Sequence, residues 1–295
     1  MSDEINWKLV EATSNGIKIL NSEISYFISA ILKNRPIDSK EIIQKFQKKC
    51  ICDYNGYLTE RGRVVTISYL SLEGQCNILG IKLEYESIII TEGTEVSVLE
   101  FYKKQGYQGC ISEASIIGVI LYCLCFDKLY PLHLEKYNID KDSFSFFSGD
   151  KVFSMAESYS QSTGGYIEYF DKLKIELINI IKNSNEKIVR KNFNEIFKIQ
   201  YPCNQDDWKT LGINEDLIIK IYKGLGNEEF AKIGTLYFND PYVYSKGWPD
   251  LTIVKDNKVK FIEVKVRDKL QRSQIITIST LKKSTNLYIS VLKII

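Results

Sequence analysis

With 295 residues, 44% of them apolar and 26% charged, the chain has the hydrophobic content of one large or two modest globular domains, which excludes a disordered or fibrous sequence. Its net charge of +2 excludes a bulk polycation, and the longest apolar run, Ala114 to Phe126, is too short to span a bilayer. One histidine and seven cysteines without a C-x-x-C pair argue against a Cys/His zinc centre; with no signal-peptide pattern in the opening MSDEINWKLV, they point to reduced thiols in a cytoplasmic protein.

Helical spacing of Ile24, Phe27, Ile28 and Ile31 predicts a first helix over 22–32, broken by Pro36. A second follows from Asp38 or Ser39 as cap to Lys48-Lys49, and Asn55-Gly56 marks a turn. A third helix starts after Thr59 and runs through "LTERGRVVTISYLSLEGQCNILGI". Three helices followed by the extended "KLEYESIII" fit a winged-helix module over residues 1–92. Lys45, Lys48, Lys49, Arg61 and Arg63 on its second and third helices form a candidate DNA-facing surface.

Beyond Gly93, the pattern predicts an amphipathic helix at Glu95–Tyr102, a glycine-interrupted loop, and a helix apolar on nearly all sides in "SEASIIGVILYCLCFDKLY". Phe144–Gln161 reads as loop. Helices are expected at Tyr166–Ile181, Lys187–Phe197, Trp208–Leu211 and Asn214–Leu225. The final segment switches to strand, turn, strand, helix, strand at Leu251–Val254, Val259–Val266, Ser273–Lys283 and Asn286–Ile294. From Lys246 onward there are 11 Lys/Arg against 4 Asp/Glu, a surplus of seven, which suits a polyanion partner or a lysine-protected sheet edge.

The stretch "WPDLTIVKDNKVKFIEVKV" places Asp250, Glu263 and Lys265 inside apolar strand runs, where charges are normally avoided. With Asp256-Asn257 at the centre of the turn, Val254 faces Val259, Thr252 faces Phe261 and Asp250 faces Glu263. Opposed carboxylates repel unless a cation sits between them, and Lys265 shares their face. A solvated polar strand is the bland alternative, opposed by the apolar second face of Ile262, Val264 and Val266.

Asp, a turn, then Glu-x-Lys is the signature of PD-(D/E)xK nucleases. "GWPDL" and "FIEVKVRDKLQRSQ" more specifically resemble the VRR-NUC family, with Gly247, Pro249, Asp250, Leu251, Glu263, Val264, Lys265, Asp268, Leu270 and Gln274 in the family's order. "EVSVLEFYKKQGYQGCISEASIIGVILYCLCFDKLYP" is similar to the segment preceding that core in Fanconi-associated nucleases, and "DDWKTLGINEDLIIKIYKGLGNEEFAKI" to the helical bridge before it. The chain departs from the pattern at Val266, where the family often has Gly, at Trp248, which replaces a smaller apolar residue, and in a Lys265–Asp268 interval one residue short.

The resemblance implies an α/β (α+β) restriction-endonuclease-like core, a mixed sheet flanked by helices, over residues 93–295. It implies a metal-dependent DNA nuclease, structure-selective and active in DNA repair or processing. Asp250, Glu263 and the Val264 carbonyl would bind Mg²⁺ or Mn²⁺, Glu113 would complete the site, and Lys265 would position the nucleophile or neutralise charge. Gln274 would orient the site from its helix; the alternative is that it merely caps that helix. Branched or duplex DNA is the expected partner, with no membrane. Two other readings stand: an antibacterial DNase toxin with an immunity protein, and a non-catalytic DNA-binding module.

Overall fold

The computed structural model describes residues 21–137, 166–199, 212–239, 241–244 and 246–295. The loop expected at 144–161 and the helix expected at 208–211 lie outside the described residues.

The first two helices are α1 (Asn21–Lys33) and α2 (Lys40–Gln47), the latter capped by Ser39, whose hydroxyl accepts from the Ile42 N–H. Their apolar faces meet in a small core of Phe27, Ile37, Ile42, Phe46 and Ile51, with Phe27 edge-on to Phe46. The expected third helix is two: α3 (Glu60–Tyr69), capped by Thr59, and α4 (Leu72–Leu79), capped by Ser71. An extended Leu70 breaks the run, and the Ser71 hydroxyl takes the Gly74 N–H at the start of the next. Lys45 pairs with Glu23, and the Lys45 and Lys49 ammonium groups each lie 5.3 Å from the Phe46 ring centre.

Strand β1 (Lys82–Glu86), read from sequence as the end of a winged-helix module, pairs in parallel with β5 (Ile289–Ile294). It is an edge strand of a five-stranded mixed sheet with order β1-β5-β4-β3-β2. The boundary expected at 92/93 therefore lies downstream of a strand already built into the C-terminal sheet. Leu72, Cys76, Leu79 and Ile81 belong to the main core, whereas the separate core lies around α1 and α2.

Helix α5 (Thr94–Lys104) covers one sheet face, packing Val98, Leu99 and Tyr102 against Leu251, Ile253, Ile262 and Val264. Strand β2 (Gln108–Ile111) follows where the glycines predicted a loop. It adds antiparallel to β3 (Leu251–Lys255), which joins β4 (Lys258–Lys265) through Asp256 and Asn257, both at positive φ. That is the two-residue hairpin whose twist suits the strands. Val254 pairs with Val259 and Thr252 with Phe261, the register expected from the sequence.

The other face packs on helices. Helix α6 (Ser115–Tyr137) is apolar along most of its length. Its window Ser115–Leu132 is long and apolar enough to cross a membrane, longer than the run judged from sequence; 72% of that window is buried in the protein. Ile116, Ile117 and Ile120 are fully buried, each contributing about 1.5–3 kcal/mol of hydrophobic stabilisation. Around α6 pack α7 (Tyr166–Lys182), α8 (Glu186–Ile199) and α9 (Glu215–Asn239). Within α9 two helical stretches meet at Gly226, whose φ of 74° and ψ of 169° are non-helical, so the end expected at Leu225 falls at their junction. A short α10 (Pro241–Tyr244) and α11 (Arg272–Ser284) complete the fold. The six described cysteines are free, and all but Cys50 are buried.

Candidate active site

The approach to β3 is pinned before Asp250 is reached. Trp248 is buried, donates its indole N–H to the Tyr244 carbonyl at 2.7 Å, and sits edge-on to Phe261. The large ring that departs from the VRR-NUC pattern is thus a core anchor. Gly247 has φ +69°, and a Cβ there would lie 2.4 Å from the Ser273 carbonyl carbon and oxygen. Gly247→Ala should therefore destabilise the protein by about 2 kcal/mol or more, through both strain and overlap. A denaturation midpoint unchanged from wild type would refute this packing.

Asp250 then stitches three segments together. Its Oδ2 accepts the Val264 N–H at 2.8 Å, and its carbonyl accepts the Ser112 N–H at 3.1 Å. Continuing the hairpin register from the Leu251–Ile262 pair brings Asp250 opposite Glu263. Burial raises the Asp250 pKa, opposed by the Val264 N–H and Lys265 and reinforced by Glu95.

Glu263 is fully buried. Its Oε1 accepts from the Lys265 ammonium at 2.8 Å and from the Gln274 amide at 2.5 Å, while Oε2 has no hydrogen-bond partner. Burial, then the Asp250 charge, push its pKa up to about 8 against the attraction of Lys265. Burial works against the charge of Lys265 as well, but Glu263, Asp268 and Asp250 together hold its pKa above the usual lysine value. Asp268 lies 3.9 Å from its ammonium.

Gln274 makes a contact at each end of its amide. Its amide oxygen accepts the Gln271 N–H at 2.9 Å, capping α11, while its amide nitrogen holds Glu263. Glu113 stands in the turn between β2 and α6 at φ +43°. A non-glycine residue in this region carries on the order of 1 kcal/mol of strain or more. Burial and Asp250 both raise its pKa.

These groups line an open cavity of about 500 Å³. All the residues expected at the site, Glu113, Asp250, Glu263, Val264, Lys265 and Gln274, are on its wall. Glu95, in the first turn of α5, was not singled out from the sequence; it lines the same cavity and its charge reaches Asp250.

Among the described residues, no three Cys, His, Asp or Glu side chains form a ready-made metal cage. The donor set nevertheless fits a divalent cation. Half-buried Asp250 lies opposite fully buried Glu263, and one Glu263 oxygen lacks the hydrogen-bond partner whose absence costs about 1–3 kcal/mol.

No family model and no curated protein matches the chain. Solved structures do. A crystal structure of paFAN1 bound to 5′ flap DNA with a gap and a 2-nucleotide flap aligns with TM-score 0.55 and 14% identity, over 91% of this chain and 48% of that one. Another, with a 1-nucleotide flap, gives 0.56 and 13% over 98% and 52%. The chain spans about half the length of the paFAN1 chains. With its mixed sheet, its flanking helices and an alignment running over nearly its whole length, this chain has the fold found in paFAN1.

Proposed function

We propose that this chain is a metal-dependent nuclease acting on branched DNA, with 5′ flaps as the preferred class. The observation that carries the reading is half-buried Asp250 set opposite buried Glu263 and Lys265, with one Glu263 oxygen left without a hydrogen-bond partner. A protein that only bound DNA would gain nothing from burying such a pair. The flap substrate is inferred from the DNA held in the paFAN1 crystals.

Asp250, Glu263 and the Val264 carbonyl would hold Mg²⁺ or Mn²⁺. Bound there, the ion would supply Lewis-acid activation of water and charge neutralisation at the phosphate. Lys265 keeps its proton at neutral pH, because its pKa is raised, so it acts as a fixed cation toward the phosphate and not as a base. Gln274 holds Glu263 in one rotamer. Glu113, whose N–H lies 3.5 Å from the Asp250 carbonyl, would orient the attacking water. Arg267, exposed between the cavity-lining Val266 and Asp268, is placed to meet the DNA backbone.

Full-length protein incubated with 5′ flap, nicked, single-stranded and duplex DNAs, with and without Mn²⁺, tests this. Flap cleavage that needs the metal is expected; equal cleavage in EDTA would sink the mechanism, and tight binding without any cutting would favour a non-catalytic module. Glu113→Gln should lower kcat by about a hundredfold or more, in the range of a lost electrostatic or positioning group. Its stability should hold or rise, since a repulsion with Asp250 is removed. Wild-type cleavage by that variant would remove Glu113 from the site.

A further inference from the structure

The loop between Lys265 and α11 brings Asp268 and Gln271 to the cavity and leads into Gln274 in the first turn of α11, and its conformation is held from outside the nuclease motifs. Gln75, on α4, is fully buried. Its amide oxygen accepts the Leu270 N–H at 2.8 Å, and its amide nitrogen donates to the Leu270 carbonyl at 3.2 Å. The side chain thus pairs in both directions with the backbone of one residue, as a strand neighbour would. The same amide nitrogen also reaches the Ile67 carbonyl at 3.2 Å, tying the loop to α3. Beside it, the Lys269 ammonium donates to the Ser68 and Leu70 carbonyls at 2.7 and 3.1 Å, where a cation suits the end of a helix.

From Leu270 the contacts run directly to the carboxylate. The next residue, Gln271, gives its N–H to the Gln274 oxygen, and the Gln274 nitrogen holds Glu263 Oε1. We propose that Gln75 is a positioning residue of the active site: from the N-terminal helices it fixes the Leu270 peptide, and through the Gln271–Gln274 cap it sets the orientation of Glu263 toward the cation. This rests on the metal-nuclease reading and adds to it a residue 195 positions from the loop it controls. A buried amide must be hydrogen-bonded somewhere, but stability alone does not require both of its ends to grip the loop that carries the partner of Glu263.

The test uses the full chain and two readouts: calorimetric titration of Mn²⁺ without DNA, and steady-state cleavage of a 5′ flap. Q75M keeps the volume and removes all three hydrogen bonds. It should weaken Mn²⁺ binding about tenfold and lower kcat by a similar factor, in the range of lost outer-sphere support, with KM unchanged. K269M, on the exposed side of the same clamp, should weaken Mn²⁺ binding about threefold and decides the matter if Q75M does not fold. In a Q274M background, Q75M should add nothing, because the connection is already cut. A folded Q75M with Mn²⁺ affinity and kcat within about twofold of wild type would overturn the proposal, as would effects of Q75M and Q274M that simply multiply. If Q75M does not fold, wild-type Mn²⁺ affinity in K269M would overturn it. Wild-type protein that neither binds Mn²⁺ nor cleaves would sink the nuclease reading itself, and this inference with it.

Discussion

Glu263→Gln should abolish cleavage and, at the same time, stabilise the metal-free protein. The loss should be roughly a thousandfold or more, about 4 kcal/mol of barrier, because the variant removes a cation ligand at the reacting centre. The stability gain follows from the carboxyl pKa, which is about 8 in the fold. Between the unfolded value of about 4.3 and that folded value, the folded chain holds a proton that the unfolded chain has released. The stabilising contribution is therefore complete below the unfolded value and disappears as pH rises through 8. Metal-free wild-type protein should lose stability between pH 5 and 8, on the order of a few kcal/mol, while the Gln variant should show a flatter profile. Mn²⁺ should stabilise the wild type more at pH 8 than at pH 5, because the ionised form is the ligand. Thermal denaturation at the two pH values, with and without Mn²⁺, reads all of this. A wild-type profile that rises with pH would show that Lys265 outweighs burial.

Starting the chain at Thr91 should give an insoluble or unfolded protein, not a soluble nuclease with weakened DNA binding. The deletion removes β1 and leaves the β5 edge open. It also strips Leu72, Cys76, Leu79 and Ile81 from the main core and Gln75 from Leu270. Large apolar surface and an unpaired strand edge invite aggregation. A monomeric product with a cooperative unfolding transition would show that residues 91–295 fold alone, as the boundary read from the sequence expects.

The hairpin was legible because its signals are local. Alternation along Val259–Val266 and the Asp256-Asn257 turn set the register, and charges inside apolar strands betrayed Asp250, Glu263 and Lys265. Glu113 came through resemblance alone. Glu95 was hidden because an acidic residue in a first helical turn is ordinary. Strand β2 was hidden by Gly109, which lies tight against β3: a Cβ there would meet the Thr252 carbonyl oxygen at 2.6 Å. The α3–α4 break rested on a Ser71 cap inside a continuous apolar pattern, whereas the end expected at Leu225 coincides with the non-helical Gly226 inside α9. The pairing of β1 with β5 leaves no local trace at all.

That last pairing has a consequence for how the molecule is made. Residues Lys82 and Ser290, neighbours across the parallel ladder, are joined by more than 200 residues of chain. On the ribosome, β1 emerges long before β5, its strand neighbour among the described residues, exists. The N-terminal helices can close their own small core at once, but Leu72, Cys76 and Leu79 must wait. Pairings of such sequence separation are slow to form and leave apolar surface open meanwhile. The nascent chain therefore carries a prolonged exposed stage, during which a chaperone that shields the α4–β1 segment would raise the yield of folded protein.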